Sequence, residues 1–200
     1  MHTESIIQEL NSKFGKKDSF TKEELDSIED LTISKFSFTD EIMKVDFNDL
    51  KYFNNLKEIC IEDCMLDKNI FLILLSKEKL FKLSLYNCEI NEDIYPIFEN
   101  IKVKELLLSK TDFDLSHLTG YYNRITLENV NFKRIESYME ILDISNNKIE
   151  NIDDVVKSNF EEIRISHSQY EKYKNEFNSC GRRFIVMEDN LEFIEKKVGF

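Results

Sequence analysis

In a chain of 200 residues, the side chains best suited to metal or nucleophilic chemistry are His2, His117 and His167 together with Cys60, Cys64, Cys88 and Cys180. The histidines are spread along the length, and no periodicity brings them to one place, so a metal or acid/base cluster is not expected. Cys64 and Cys88 hold the same position in two successive segments of similar pattern. On adjacent strands their backbones would lie about 5 Å apart. The ordinary reading is two buried thiols packing as small apolar groups; the sharper one is a disulfide or metal pair. Cys60 points to the other side of its strand, with nothing basic beside it to lower its pKa and make it a nucleophile. With only four glycines, the chain offers no phosphate-cradling loop. What stands out is a concentration of carboxylates, Glu58, Glu62 and Asp63, with Tyr86 one strand on and Leu107 a strand beyond. Acidic groups beside an aromatic and an aliphatic side chain suit recognition of a basic, partly apolar protein surface. The plain alternative is a solvated sheet face with a few apolar residues. No catalytic, cofactor-binding or metal-binding residue is assigned, and the chain reads as non-enzymatic.

The elements that must position these residues come from a repeated apolar skeleton. An apolar residue recurs at offsets 0, 3 and 5, a small or polar one at 8 and another apolar one at 10. The first copy is Ile28, Leu31, Ile33, Phe36 and Phe38, the second Leu56, Ile59, Ile61, Cys64 and Leu66, and the seventh Phe160, Ile163, Ile165, Ser168 and Tyr170. Copies begin at 28, 56, 80, 103, 122, 139 and 160, so the steps of 17 to 28 residues are irregular. A degenerate eighth copy follows through Gly181, Phe184, Val186, Asp189 and Leu191. Offsets 3 and 5 point inward from a short strand, offset 8 turns a buried corner, and stacked copies make one parallel sheet. Offsets 2, 4, 6 and 7 then share the outer face, which gathers Glu58, Glu62, Asp63, Tyr86 and Leu107.

Between the strands, residues 67–79 predict a helix with the apolar set Ile70, Leu74 and Leu75. Asn91 reads as an N-cap before Glu92 and Asp93, and residues 171–179 as helical with Tyr173 and Phe177 one turn apart. At the start, Ile6, Ile7, Leu10 and Phe14 mark an amphipathic helix, and Thr21 with Glu24 has capping-box spacing.

The skeleton resembles the leucine-rich-repeat superfamily. The stretch from Leu142 through Asn146 and Asn147 to Ile152 is similar to the repeat type of protein-phosphatase regulators and ribonucleoprotein subunits. The resemblance covers about residues 28–191. It implies an α/β solenoid with a curved parallel sheet on the concave face and helices or 3₁₀ turns on the convex one. Residues 1–27 would form a helical N-terminal cap, 28–191 the solenoid and 192–200 a capping tail. The family favours Asn or Cys at offset 8; Cys64, Cys88, Thr111, Asn147 and Ser168 conform, while Phe36 and Val130 depart. Its members mostly bind proteins through the concave face, which here is the surface of Glu58, Glu62, Asp63, Tyr86 and Leu107.

Charge narrows the partner. A formal net charge of -12 disfavours non-specific nucleic-acid or acidic-membrane binding and favours a basic protein surface. The N-terminus lacks a signal-peptide pattern, the longest apolar run (Ile70 to Leu75) is too short to cross a bilayer, and no N-glycosylation sequon occurs. Scattered cysteines complete the expectation of an intracellular, cytoplasmic or nuclear, monomeric adaptor. The alternative is a structural subunit or associated factor of a large ribonucleoprotein of ribosome or spliceosome type, using Lys133-Arg134 or Arg182-Arg183, or a regulatory subunit of an enzyme such as a phosphatase.

Overall fold

The computed structural model describes residues 4–16, 19–34, 43–44 and 47–189. In chain order come helices α1 (Glu4–Phe14) and α2 (Lys22–Asp26), strands β1 (Asp30–Ile33) and β2 (Met43–Lys44), and a 3₁₀ turn at Phe47–Tyr52. They are followed by β3 (Glu58–Glu62), β4 (Cys64–Leu66), α3 (Lys68–Leu75), β5 (Lys82–Tyr86) and β6 (Glu89–Ile90). Next are a 3₁₀ turn (Glu92–Ile94), α4 (Tyr95–Phe98), β7 (Glu105–Ser109), a further 3₁₀ turn (Leu115–His117), β8 (Tyr121–Glu128) and β9 (Tyr138–Asp143). The last described elements are α5 (Ile152–Lys157), β10 (Phe160–Ser166), α6 (His167–Lys172), α7 (Lys174–Ser179) and β11 (Arg183–Met187).

The fold is α/β. Eight parallel strands lie in the order β1-β3-β5-β7-β8-β9-β10-β11, an open sheet whose strand order is the chain order. Register aligns the apolar skeleton across it: Leu31, Ile59, Leu83, Leu106, Ile125, Leu142, Ile163 and Phe184 are successive Cα partners. All but Phe184 are buried, so one sheet face supplies a continuous core while the other alternates outward.

The corners hold two features that the offsets alone do not announce. A second, three-stranded parallel sheet runs β2-β4-β6 just past the first three strands of the large one. At the ends of β3, β5, β7 and β8 the chain turns through a left-handed residue at offset 7: Asp63 (φ 54), Asn87 (φ 48), Lys110 (φ 51) and Asn129 (φ 51). Each donates its N–H to the next repeat, Asp63 to the Tyr86 carbonyl at 3.0 Å and Lys110 to that of Glu128 at 2.9 Å, so the ladder continues around the bend. Asn tolerates this conformation better than most residues; Lys110 has no such advantage.

Register also corrects the first and seventh copies. Met43, not Phe36, pairs with Cys64, and Lys44 with Met65, so the first copy carries an insertion between strand and corner; Phe36 and Phe38 lie outside the described residues. In the seventh copy Ser168 is exposed and Gln169 is the buried corner residue. The cause is helix α6, which starts at His167 with Ser166 as N-cap in a capping box with Gln169. Gln169 Oε1 accepts from Ser166 N at 2.7 Å, and its Nε2 donates to the carbonyls of Ile144 (2.8 Å) and Asn147 (2.5 Å). His167 accordingly opens a helix; it is not part of the strand.

Helices cover the apolar face. In α3, capped by Asp67, the buried set is Ile70, Phe71 and Leu74; Leu75 is 42% exposed, which replaces it by Phe71. The predicted 171–179 helix is two, broken at Tyr173, whose hydroxyl donates to the Ile149 carbonyl at 3.1 Å. At the first edge, Ile6 and Leu10 of α1 are fully buried, Thr21 and Glu24 form the capping box, and α1 packs on β1. At the other edge β11 has the anticipated register, Ile163 to Phe184 and Ile165 to Val186, and leaves Val186 and Met187 37% and 39% exposed. The anticipated tail at 192–200, like Leu191, lies outside the described residues. Among the described residues no helix is long and apolar enough to cross a membrane.

Candidate functional site: the open face of the sheet

Strands β3, β5 and β7 present their outward residues in three rows. Glu58 is opposite Lys82, which is opposite Glu105; Cys60 is opposite Ser84, and Ser84 opposite Leu107; Glu62 is opposite Tyr86, and Tyr86 opposite Ser109. The last row continues to Glu128 on β8. Four of the five residues singled out from the sequence therefore share one face over three adjacent strands. Asp63 lies just past the strand end, at the left-handed corner, where its Oδ1 accepts a hydrogen bond from Asn87 Nδ2 at 2.6 Å. Its first role is to hold that turn.

The acidic cluster is only partly free. Lys82 Nζ sits 3.5 Å from Glu58 Oε2, an exposed pair of small energetic weight. Glu62 Oε1 accepts from Cys60 Sγ at 3.5 Å. Tyr86 is half-buried in the row between Glu62 and Ser109, with Glu128 beyond, and its phenol is held above its ordinary pKa, first by burial and then by Cys60, Glu128 and Glu62. A half-buried ring with carboxylates on either side attracts a cation electrostatically while offering apolar area. Leu107, also half-buried, stands between Ser84 and Thr126 and adds an aliphatic patch one row away. Glu128, which its offset already assigns to this face, is not among the five because its repeat lies two strands away; the register brings it into the row.

Cys64, Cys88 and His117 have structural partners. Cys64 Sγ donates to the Glu62 carbonyl at 3.0 Å, and Cys88 Sγ lies 3.3 Å from that of Tyr86 and 3.4 Å from that of Ile61. Both are free thiols at buried corners. Burial pushes Cys60 and Cys64 up to about 12 and Cys88 to about 11, and the nearby carboxylates add to it. A thiol so shifted is a poor nucleophile at neutral pH. His117 stacks on Tyr95 at 4.1 Å with Nδ1 2.9 Å from Glu99 Oε1, far along the chain from His167 at the start of α6. Among the described residues no group of three or more His, Cys, Asp or Glu side chains is arranged to hold a metal ion.

At the far end of the same face Glu162, 9% exposed, bridges Arg164 Nε at 3.4 Å and Arg183 Nε at 3.1 Å, which ties β10 to the edge strand β11. The face is thus acidic and aromatic around β3 to β8 and internally paired near its end. Comparison with known proteins gives no family: no protein-family model matches the chain, and no curated protein matches it.

Proposed function

We propose that the chain is a leucine-rich-repeat solenoid and a non-enzymatic interaction module whose open, concave sheet face binds a basic protein partner. The observation that carries the reading is the row Glu62, Tyr86, Ser109 and Glu128 with Leu107 beside it, a half-buried apolar centre inside a carboxylate frame. The solenoid assignment is supported by strand order: a doubly wound sheet reverses direction at a switch point, where it binds its ligand, whereas these strands follow the chain from edge to edge. It is supported also by the corner side chains, Cys88 and Asn147 among them, which satisfy backbone groups inside the turn. In this reading α1 and α2 cap the first repeat.

Carboxylates would steer and orient a Lys- or Arg-bearing segment, and desolvation of Tyr86 and Leu107 would supply most of the affinity. The test is a quantitative pull-down comparing the wild type with a Glu62→Lys, Tyr86→Ala, Leu107→Ala variant, with and without ribonuclease. A protein captured by the wild type and lost from the variant, insensitive to ribonuclease, is the expected result. Retention of every partner by the variant contradicts the assignment of this face. Loss on ribonuclease treatment alone would favour a ribonucleoprotein component.

A further inference from the structure

The two ends of the large sheet are finished differently. At the first, α1 lies against β1, and Lys13 Nζ donates to the Asp30 carbonyl at 2.8 Å, so a cation occupies one of that strand's backbone acceptors. At the other, β11 pairs with β10 from Arg183 to Met187, and among the described residues nothing hydrogen-bonds to its outer edge. Such an edge carries a row of free backbone donors and acceptors, a template for a further strand. Beside it Val186 and Met187 are 37% and 39% exposed, and the Phe184 ring, stacked on Tyr170 at 5.3 Å, is only partly buried.

The residues of this edge indicate which strand fits it. Arg182 and Arg183 precede the apolar run Phe184 to Met187, and Glu188 and Asp189 follow it, so the segment set antiparallel to itself brings basic ends against acidic ones. Two copies of one edge pair antiparallel about a two-fold axis perpendicular to the sheet. That axis leaves every side chain on its own face, so opposed residues are an even number of positions apart. With Ile185 on the axis, Arg182 faces Glu188 of the second copy, Phe184 faces Val186 on the covered side, and Ile185 meets its counterpart on the open side. An axis at Phe184 would set Arg182 against Val186, and one at Val186 would set Phe184 against Glu188, so the register at Ile185 is the one that matches charge with charge and apolar with apolar.

The paired charges are free to meet. Glu188 is exposed and, among the described residues, has no ion pair. Arg182 lies over the Phe160 ring at 4.6 Å and donates to the Ser158 carbonyl, which leaves its other N–H groups for a carboxylate. Arg183, opposite Met187, keeps its bridge to Glu162 at 3.1 Å.

We propose that β11 is the interface of a homodimer, paired antiparallel with β11 of a second copy about a two-fold axis at Ile185, in place of the monomer expected from the sequence. The pairing would bond the free backbone edge, set Val186 against Phe184, and join two sheets into one with both open faces on the same side. It does not depend on what the open face binds.

The test is sedimentation of the full chain over a concentration series at about 0.15 M salt, where the repulsion between two chains of net charge -12 is screened beyond roughly 8 Å. A concentration-dependent monomer-dimer equilibrium is expected. Glu188→Arg sets like charges opposite each other at both ends and should raise the dissociation constant about tenfold or more. Arg182→Glu should do the same alone, and combining the two in one chain should restore association, as should mixing the two single variants, whose ends match only each other. Thermal melts check folding, since Arg182 also touches Phe160 and Ser158. If Arg182→Glu lowers the melting temperature, Ile185→Lys replaces it and should abolish the dimer by setting two ammonium groups together on the axis. A full chain that stays monomeric at every concentration, a dimer indifferent to Glu188→Arg and Ile185→Lys, or failure of matched charges to restore association in folded variants would overturn the proposal and leave the edge to residues 190–200 or to a strand of another protein.

Discussion

Asn147 carries more than its size suggests. It is 5% exposed, and its Oδ1 accepts the buried Val130 N–H at 2.7 Å, so one side chain terminates a backbone donor of the preceding repeat. Asn147→Ala leaves that donor unpaired in the core, a loss of about 1–3 kcal/mol that urea unfolding would read. A change of less than about 0.5 kcal/mol would mean that water replaces the amide at this corner. The thiols make a prediction in pH. Cys60, Cys64 and Cys88 have folded pKa values raised above 9.0, to about 12, 12 and 11, because burial disfavours the thiolate. Their contribution to stability is therefore whole below the unfolded thiol pKa, roughly 8.5, and is lost as pH rises from there toward the folded values. Tyr122, pushed up to about 12 by burial, acts in the same direction, while Lys77, lowered by burial, opposes it. Replacing Cys64 and Cys88 by Ala should flatten the alkaline fall in melting temperature. An unchanged slope would show that the thiols do not contribute to it.

Helix α3 shows what an element decides that a residue type does not. Ile70, Phe71 and Leu74 fill one face, Phe71 edge-on to Phe98 at 5.9 Å, while Leu72 and Leu75 are 50% and 42% exposed. Phe71→Ala should cost about 3–5 kcal/mol in chemical denaturation, and Leu72→Ala less than about 0.5 kcal/mol. Similar losses would mean that the helix has been turned about its axis. The run Ile70 to Leu75 is apolar throughout, so its pattern could not say which four-residue face turns inward, and Leu75 was chosen over Phe71. Strands were far more legible. Their offsets 3 and 5 place alternate apolar residues on one face, and a slip of one residue would expose all of them, so register follows from the sequence. Corners were legible only where nothing else competed. At Ser168 the capping of α6 draws the chain into a helix early and makes Gln169 the buried residue; Phe36, a departure from the small or polar eighth position, marked the first corner as irregular, and the pairing of Met43 with Cys64 shows the insertion there. The left-handed residues had a visible signal in Asn87 and Asn129, but Lys110 in the same conformation gives none.

At the scale of the molecule, parallel strands laid down in chain order turn a short motif into long rows, and function in this account belongs to rows. The proposed row runs from Glu62 through Tyr86 and Ser109 to Glu128 over four adjacent strands. No single residue among them would have marked the site in isolation; Glu128 enters only when the offset-6 row is followed across four strands. The most direct test of the open face is photocrosslinking in the source cells, with benzoylphenylalanine installed at position 107 or, as a control on the helical side, at position 72. A discrete adduct from position 107 and none from 72, abolished by Glu62→Lys in the same chain, is the predicted result. Adducts from position 72 alone, or from 107 with no response to Glu62→Lys, would contradict recognition through the open face.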